Sequence, residues 1–175
     1  MQKLKITEMN RLTPEQFKEQ KKTPLIVVLD NVRSLHNVGS VFRTSDAFLL
    51  EAVYLCGITS TPPHAEIHKT ALGAEDSVDW KYFEDTCEAV KELKKDGYIV
   101  FAIEQAKESV MLPNFRVEKD KKYAFILGNE VKGVQQSVVD MCDGCIEIPQ
   151  FGTKHSLNVS VTGGIVIWEF CRQFF

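Results

Sequence analysis

The chain lacks any apolar run approaching the ~18 residues that a bilayer-spanning helix needs. Its first stretch, Met1 to Leu12, carries charges but no apolar core. No secretory signal and no membrane association are therefore expected, and a cytoplasmic protein is the default. Positive charge is also scarce: the formal net charge is -3. That argues against a generally basic nucleic-acid binder but leaves room for a local basic patch. The five cysteines are an odd number without a secretory signal, so free thiols are expected. Cys142 and Cys145 have CxxC spacing, but they precede a strand, and no second pair exists to complete a zinc site. His64 and His68 stand in H-A-E-I-H, not HExxH. No metal is expected. A GxGxxG after the first strand is missing too, which argues against a nucleotide-cofactor oxidoreductase. There is no internal repeat and no low-complexity segment.

What is present suits one globular domain of 175 residues, with 44% hydrophobic and 26% charged residues. Charge is uneven. Residues 1–22 hold Lys3, Lys5, Arg11, Lys18, Lys21 and Lys22 against Glu8, Glu15 and Glu19. The remainder is correspondingly more acidic. Thr13-Pro14-Glu15-Gln16 reads as a helix start, with Thr as cap and Pro in the first turn. The short helix that follows has a thin apolar face, Phe17 and little else. Residues 1–22 thus read as a basic helical arm that docks on the body or a partner, and 23–175 as the main domain.

The body alternates strands and helices. LIVVLD (25–30) is an unbroken apolar run, as expected of a strand buried on both faces of a parallel sheet. A polar loop follows, then a helix over 41–50 and a second strand over 52–56, which together make a βαβ unit. Further on come a short helix over 66–72, a strand over 78–83, and a helix capped by Thr86. A strand over 98–103, an irregular 104–116 and a strand over 123–127 follow. A helix over 135–141, a strand over 146–148 and a last helix over 158–174 complete the chain. This alternation predicts an open α/β fold with a mainly parallel sheet flanked by helices. Ligands in such sheets bind beyond the carboxyl ends of the strands, which selects the loops 30–43, 127–133 and 149–158.

Each of these loops carries a motif. The first is Asn37-Val38-Gly39-Ser40-Val41-Phe42-Arg43-Thr44-Ser45-Asp46-Ala47. The second is Ile126-Leu127-Gly128-Asn129-Glu130, with Gly133 after it. The third is Ile148-Pro149, Gly152 and Ser156-Leu157-Asn158-Val159-Ser160. In order, and each following a strand, they resemble the SpoU/TrmH family of RNA ribose 2'-O-methyltransferases of the SPOUT superfamily. The resemblance covers about residues 25–173. Asn129 stands where the family usually has Ala or Ser.

The resemblance implies transfer of a methyl group from S-adenosylmethionine to a ribose 2'-hydroxyl of tRNA or rRNA, without a metal. It implies catalytic roles for Arg43, Asn37, Glu130, Ser156 and Asn158. Donor binding would fall to Leu127, Gly128, Ile148, Gly152 and Leu157, with Ile148 and Leu157 sandwiching the adenine. It also implies a trefoil knot from about 123 to 173, a homodimer, and RNA as partner. Residue chemistry qualifies one of these roles. A guanidinium has a pKa above about 12, so Arg43 serves better by binding phosphate and stabilising charge than as a base. Taken alone, Arg43 could instead pair with Asp46 on the helix surface. Asn37 and Ser156 could be helix caps, and the last helix, apolar on more than one face, could be buried within a monomer. A non-catalytic RNA-binding or ribosome-assembly module that keeps the fold is the alternative function.

Overall fold

Strand β1 (Thr23–Asp30) is the spine of the sheet. Its side chains alternate between two cores: Leu25, Val27 and Leu29 enter one, Ile26 and Val28 the other. Burial on both faces explains why the run contains no polar break until Asp30. The computed structural model describes residues 1–5 and 7–175. Before β1, helix α1 (Pro14–Glu19) is capped by Thr13 and plants Phe17 in the first core, 4% exposed.

After β1 come helix α2 (Leu35–Ala47), strand β2 (Leu50–Cys56) and the short helices α3 (Ala65–Ala71) and α4 (Ala74–Ser77). Strand β3 (Asp79–Phe83), helix α5 (Thr86–Lys95) and strand β4 (Tyr98–Ile103) follow. Strands β5 (Val110–Met111) and β6 (Lys122–Leu127), helix α6 (Gln136–Val139), strand β7 (Gly144–Glu147) and helix α7 (Val159–Cys171) end the chain. Among the described residues, seven strands form one sheet in the order β3-β2-β1-β6-β4-β7-β5. All neighbours run parallel. Strand β6 thus lies against β1, with Val27 opposite both Val53 and Phe125.

Helices α2 and α7 cover the first face of the sheet, α5 and α6 the second. Gly163 lets α7 approach β6 closely: a Cβ there would sit 3.1 Å from Leu127 Cδ1. On the inner side of α7, Val166, Ile167 and Phe170 are buried. On the outer side, Val161, Ile165 and Trp168 form an exposed apolar stripe at helical spacing.

Several expected boundaries move. Helix α2 begins at Leu35, six residues earlier than expected, and is capped by the Ser34 side chain accepting from Asn37 N–H. Its first turn, Leu35-His36-Asn37, follows a polar loop and contains two polar residues that bond Glu66 and Glu130, so it reads as a continuation of that loop. The stretch 104–116 is not wholly irregular, since β5 adds an edge to the sheet. The cap of α5 is Asp85, not Thr86. Thr86 is spent instead on a buried hydrogen bond to Asp30. Helix α6 is shorter than expected, and α7 starts at Val159 with Asn158 as cap. No helix of the described residues is long and apolar enough to cross a membrane.

Candidate active site

The carboxyl ends of β4, β6 and β7 open onto one cleft of about 970 Å³. It is lined by Leu127, Gly128 and Glu130 from the loop after β6. Ile148, Ser156, Leu157 and Asn158 line it from the stretch between β7 and α7. Three residues from different motifs are tied together at its edge. Asn158 Nδ2 donates to Asn37 Oδ1 at 3.2 Å, and Asn37 Nδ2 donates to Glu130 Oε1 at 3.2 Å. Glu130 also accepts from the main-chain N–H of Arg33 (3.0 Å) and Ser34 (2.9 Å). The carboxylate therefore satisfies N–H groups at the start of α2, where the helix dipole also favours negative charge. Burial pushes the Glu130 carboxyl up, but the hydrogen bonds from Arg33, Ser34 and Asn37 outweigh it and hold it below its ordinary value.

Asn158 works with both ends of its amide. Its Oδ1 accepts from Ser160 N–H (2.9 Å) and Val161 N–H (3.3 Å), capping α7, while its Nδ2 reaches Asn37. Asn37 itself is 8% exposed and lies inside the first turn of α2, so it is not the cap of that helix. Ser156 is exposed in the cleft wall and is not the cap of α7.

The loop after β6 is built to a fixed shape. Asn129 and Gly133 exchange main-chain hydrogen bonds of 3.0 and 2.9 Å. A Cβ on Gly128 would collide with the main chain of Gly133 and Val134. Gly133 has φ +68, and a Cβ there would meet the Glu104 carboxylate. Asn129 adds side-chain bonds in both directions: it donates to Asn31 O at 2.7 Å and accepts from Val131 and Lys132 N–H. Gly152 lies outside the cleft lining, and a Cβ there would meet open space.

Arg43 is exposed and makes no ion pair or hydrogen bond among the described residues, so the surface pairing with Asp46 does not form. It does not line its own chain's cleft. Six residues beyond Asn37, it points about 240° further round the helix. The structure therefore gathers Asn37, Glu130, Ser156 and Asn158 with Leu127, Gly128, Ile148 and Leu157, and leaves Arg43 and Gly152 outside.

One supporting residue escapes sequence reasoning. Asp30 is fully buried and accepts four hydrogen bonds, from Thr86 Oγ1 (2.6 Å), Asn31 Nδ2 (3.0 Å), and Gln135 N and Nε2 (both 2.9 Å). It fixes the far end of the loop that starts at Gly128. The available signal was a carboxylate closing a wholly apolar strand, where an unpaired charge would be costly. Cys145 also lines the cleft. Burial pushes its thiol up, and that of Cys142 to about 12, so neither is a nucleophile near neutral pH. Among the described residues, no group of three or more His, Cys, Asp or Glu is placed to hold a metal.

The family model described as the SpoU rRNA Methylase family matches residues 24–168. The 23S rRNA (guanosine-2'-O-)-methyltransferase RlmB of Neisseria meningitidis serogroup B is 32% identical over 150 residues, 86% of this chain and 59% of that protein. The tRNA (guanosine(18)-2'-O)-methyltransferase of Aquifex aeolicus is 35% identical over 162 residues, 89% of this chain and 72% of that one. Among solved structures, the AdoMet-bound rRNA methyltransferase from Sinorhizobium meliloti superposes with a TM-score of 0.81 at 26% identity. That match covers 89% of this chain and 58% of the other. The chain thus spans about three fifths of the length of the first curated relatives it matches.

Proposed function

The chain belongs to the SpoU rRNA methylase family, and we propose that it transfers a methyl group from S-adenosylmethionine to a ribose 2'-hydroxyl of tRNA or rRNA. The observation that carries this reading is the Asn158–Asn37–Glu130 chain of hydrogen bonds. It joins residues 93 and 121 positions apart in sequence at the edge of one cleft.

The cleft fits the methyl donor. Leu157 is held 38% exposed on its wall, with Ile148 lining the same space. Two apolar side chains on the cleft wall suit the faces of an adenine. The loop 127–133 offers main-chain groups for the polar parts. When bound, S-adenosylmethionine supplies an electrophilic methyl group on a sulfonium. The protein's share is to orient the hydroxyl and ease its proton loss. Asn37 and Asn158, with their amides fixed at both ends, hold the edge where the ribose enters. Glu130 keeps Asn37 and the start of α2 in place. Ser156, exposed in the cleft wall, offers a hydroxyl to the substrate or donor.

Arg43 binds the phosphate beside the target ribose with its planar fork and stabilises developing charge. Because it lies outside the cleft of its own chain, we read it as serving within a homodimer. The exposed stripe Val161–Ile165–Trp168 on α7 supports a second copy seated there. The same reading takes the chain from about 123 to 173 as a trefoil knot. Helix α7 packs back on β6 after β7, which lies beyond β4, in keeping with that.

Titration calorimetry with S-adenosylmethionine, followed by incubation with total RNA and labelled donor, tests the proposal. Donor binding and a labelled ribose are expected. Arg43→Ala should abolish transfer while leaving donor affinity within a few-fold. No donor binding at millimolar concentration would favour the non-catalytic RNA-binding alternative.

A further inference from the structure

Two rims of the cleft carry apolar side chains that the fold does not use. Phe151, between β7 and α7, is 96% exposed, and Val131, after β6, is 77% exposed. Each has a lysine close by in sequence: Lys132 beside Val131, Lys154 three residues after Phe151. Lys107 lines the same cleft from the loop after β4. Among the described residues, none of these three lysines is within ion-pair distance of a carboxylate. Lys69, Lys81, Lys91, Lys94 and Arg172 all are. Neither 131–137 nor 148–158 contains an acidic residue, although the chain as a whole is acidic. Glu130 is adjacent, but both of its oxygens are occupied by hydrogen-bond donors.

The segment around Phe151 is open. Among the described residues, Gln150 to Lys154 neither give nor take a hydrogen bond, and the next residue is held by Gln105 Nε2 donating to His155 O at 2.6 Å. A single exposed apolar residue needs no explanation. An aromatic face standing in water at the mouth of a cleft, with unpaired cations close by in sequence, has the make-up of a nucleobase platform. Its π-face stacks a base of any identity, and the lysines take the flanking phosphates.

We propose that Phe151 stacks an unpaired nucleobase of the RNA next to the reacting ribose, with Lys132 and Lys154 gripping the phosphates on either side. This rests on the RNA methyl transfer proposed above and narrows its substrate. A base inside a duplex has no free face, so the site takes loops, bulges or single strands. The alternative cover for Phe151, a second subunit, is distinguished by mass in light scattering.

The test uses the full chain and a fluorescently labelled single-stranded RNA of mixed sequence, with the matching duplex as control. The wild-type protein should prefer the single strand. Phe151→Ala should weaken that binding about five- to a hundredfold, the range that one base–aromatic stack supplies. Phe151→Trp should restore it, and Phe151→Leu should not. Removing Lys132 or Lys154 should lower the slope of log affinity against log salt by about 0.7 each. Donor affinity, melting temperature and mass by light scattering should not move in the Phe151 variants, because the side chain touches nothing in the fold. Unchanged RNA affinity in Phe151→Ala would overturn the inference. So would full rescue by leucine, or a loss of mass that marks Phe151 as a subunit contact. Failure of the methyl-transfer reading would look different: wild-type protein would bind RNA yet label none.

Discussion

Replacing Glu130 by Gln tests whether the three motifs are mechanically joined. The glutamate receives three donors on two oxygens: Arg33 N–H on one, Ser34 N–H and the Asn37 amide on the other. Glutamine keeps one oxygen, so at least one donor would face an NH₂ group. Losing a capping-type bond to a helix start costs about 0.5–2 kcal/mol. Losing the negative charge there costs about 0.3–1 kcal/mol. The side chain is partly exposed and water can replace some of what is lost, so we place the total near 1.5 kcal/mol. For a domain of this size that is a fall in melting temperature of about 3–6 °C.

The pH dependence gives a second readout. The folded carboxyl titrates below its ordinary value of 4.5. Its stabilisation is therefore complete above that pH and is lost as pH falls through the folded value. The gap in melting temperature between wild type and Glu130→Gln should be constant from about pH 6 to 8 and close below about 4.5. Methyl transfer should fall about tenfold or more, as Asn37 loses the partner that fixes its amide, while donor affinity changes little. A melting temperature within 1 °C of wild type, or a gap that persists into acid, would refute the reasoning.

Asp30→Ala should be more damaging, because Thr86 is 1% exposed and its hydroxyl would lose its only acceptor in a dry site. A cost of about 3 kcal/mol is expected from the broken charge-assisted bonds, visible in calorimetry as a drop of roughly 6–12 °C; a drop under 2 °C would contradict it. Gly39→Ala should destabilise although alanine favours helix, since its Cβ would run into Ile67 O and Thr70 Oγ1 where α2 crosses α3. Main chain cannot yield there, so urea unfolding should show a loss of about 1–3 kcal/mol; equal stability would mean that the helices separate freely. Gly152→Ala, in open space, should leave both stability and donor affinity unchanged in the same measurements.

The central strands were legible because a strand buried on both faces must be apolar at every position, and LIVVL, YIVFAI and YAFIL meet that condition locally. The three loops were legible because glycine and polar residues are what a chain needs where it turns beyond a sheet. The start of α2 was not, since His36 and Asn37 in its first turn are polar and bond Glu66 and Glu130, so the turn reads as part of the loop before it. Thr86 was misjudged for a similar reason. Its residue type suits a cap, but Asp30, 56 residues earlier, competes for its hydroxyl.

The sequence by itself therefore determined most element types and the mainly parallel sheet, which depend on neighbours along the chain, while its list of candidate site residues came from the resemblance of three motifs to a family. Only the tertiary structure decided that β6 inserts beside β1, and so brings Glu130 to the start of α2. Only it decided that Asn37 and Asn158 share one hydrogen bond while Arg43 looks away from its own cleft. Those choices rest on which faces pack together, and no local period carries that information.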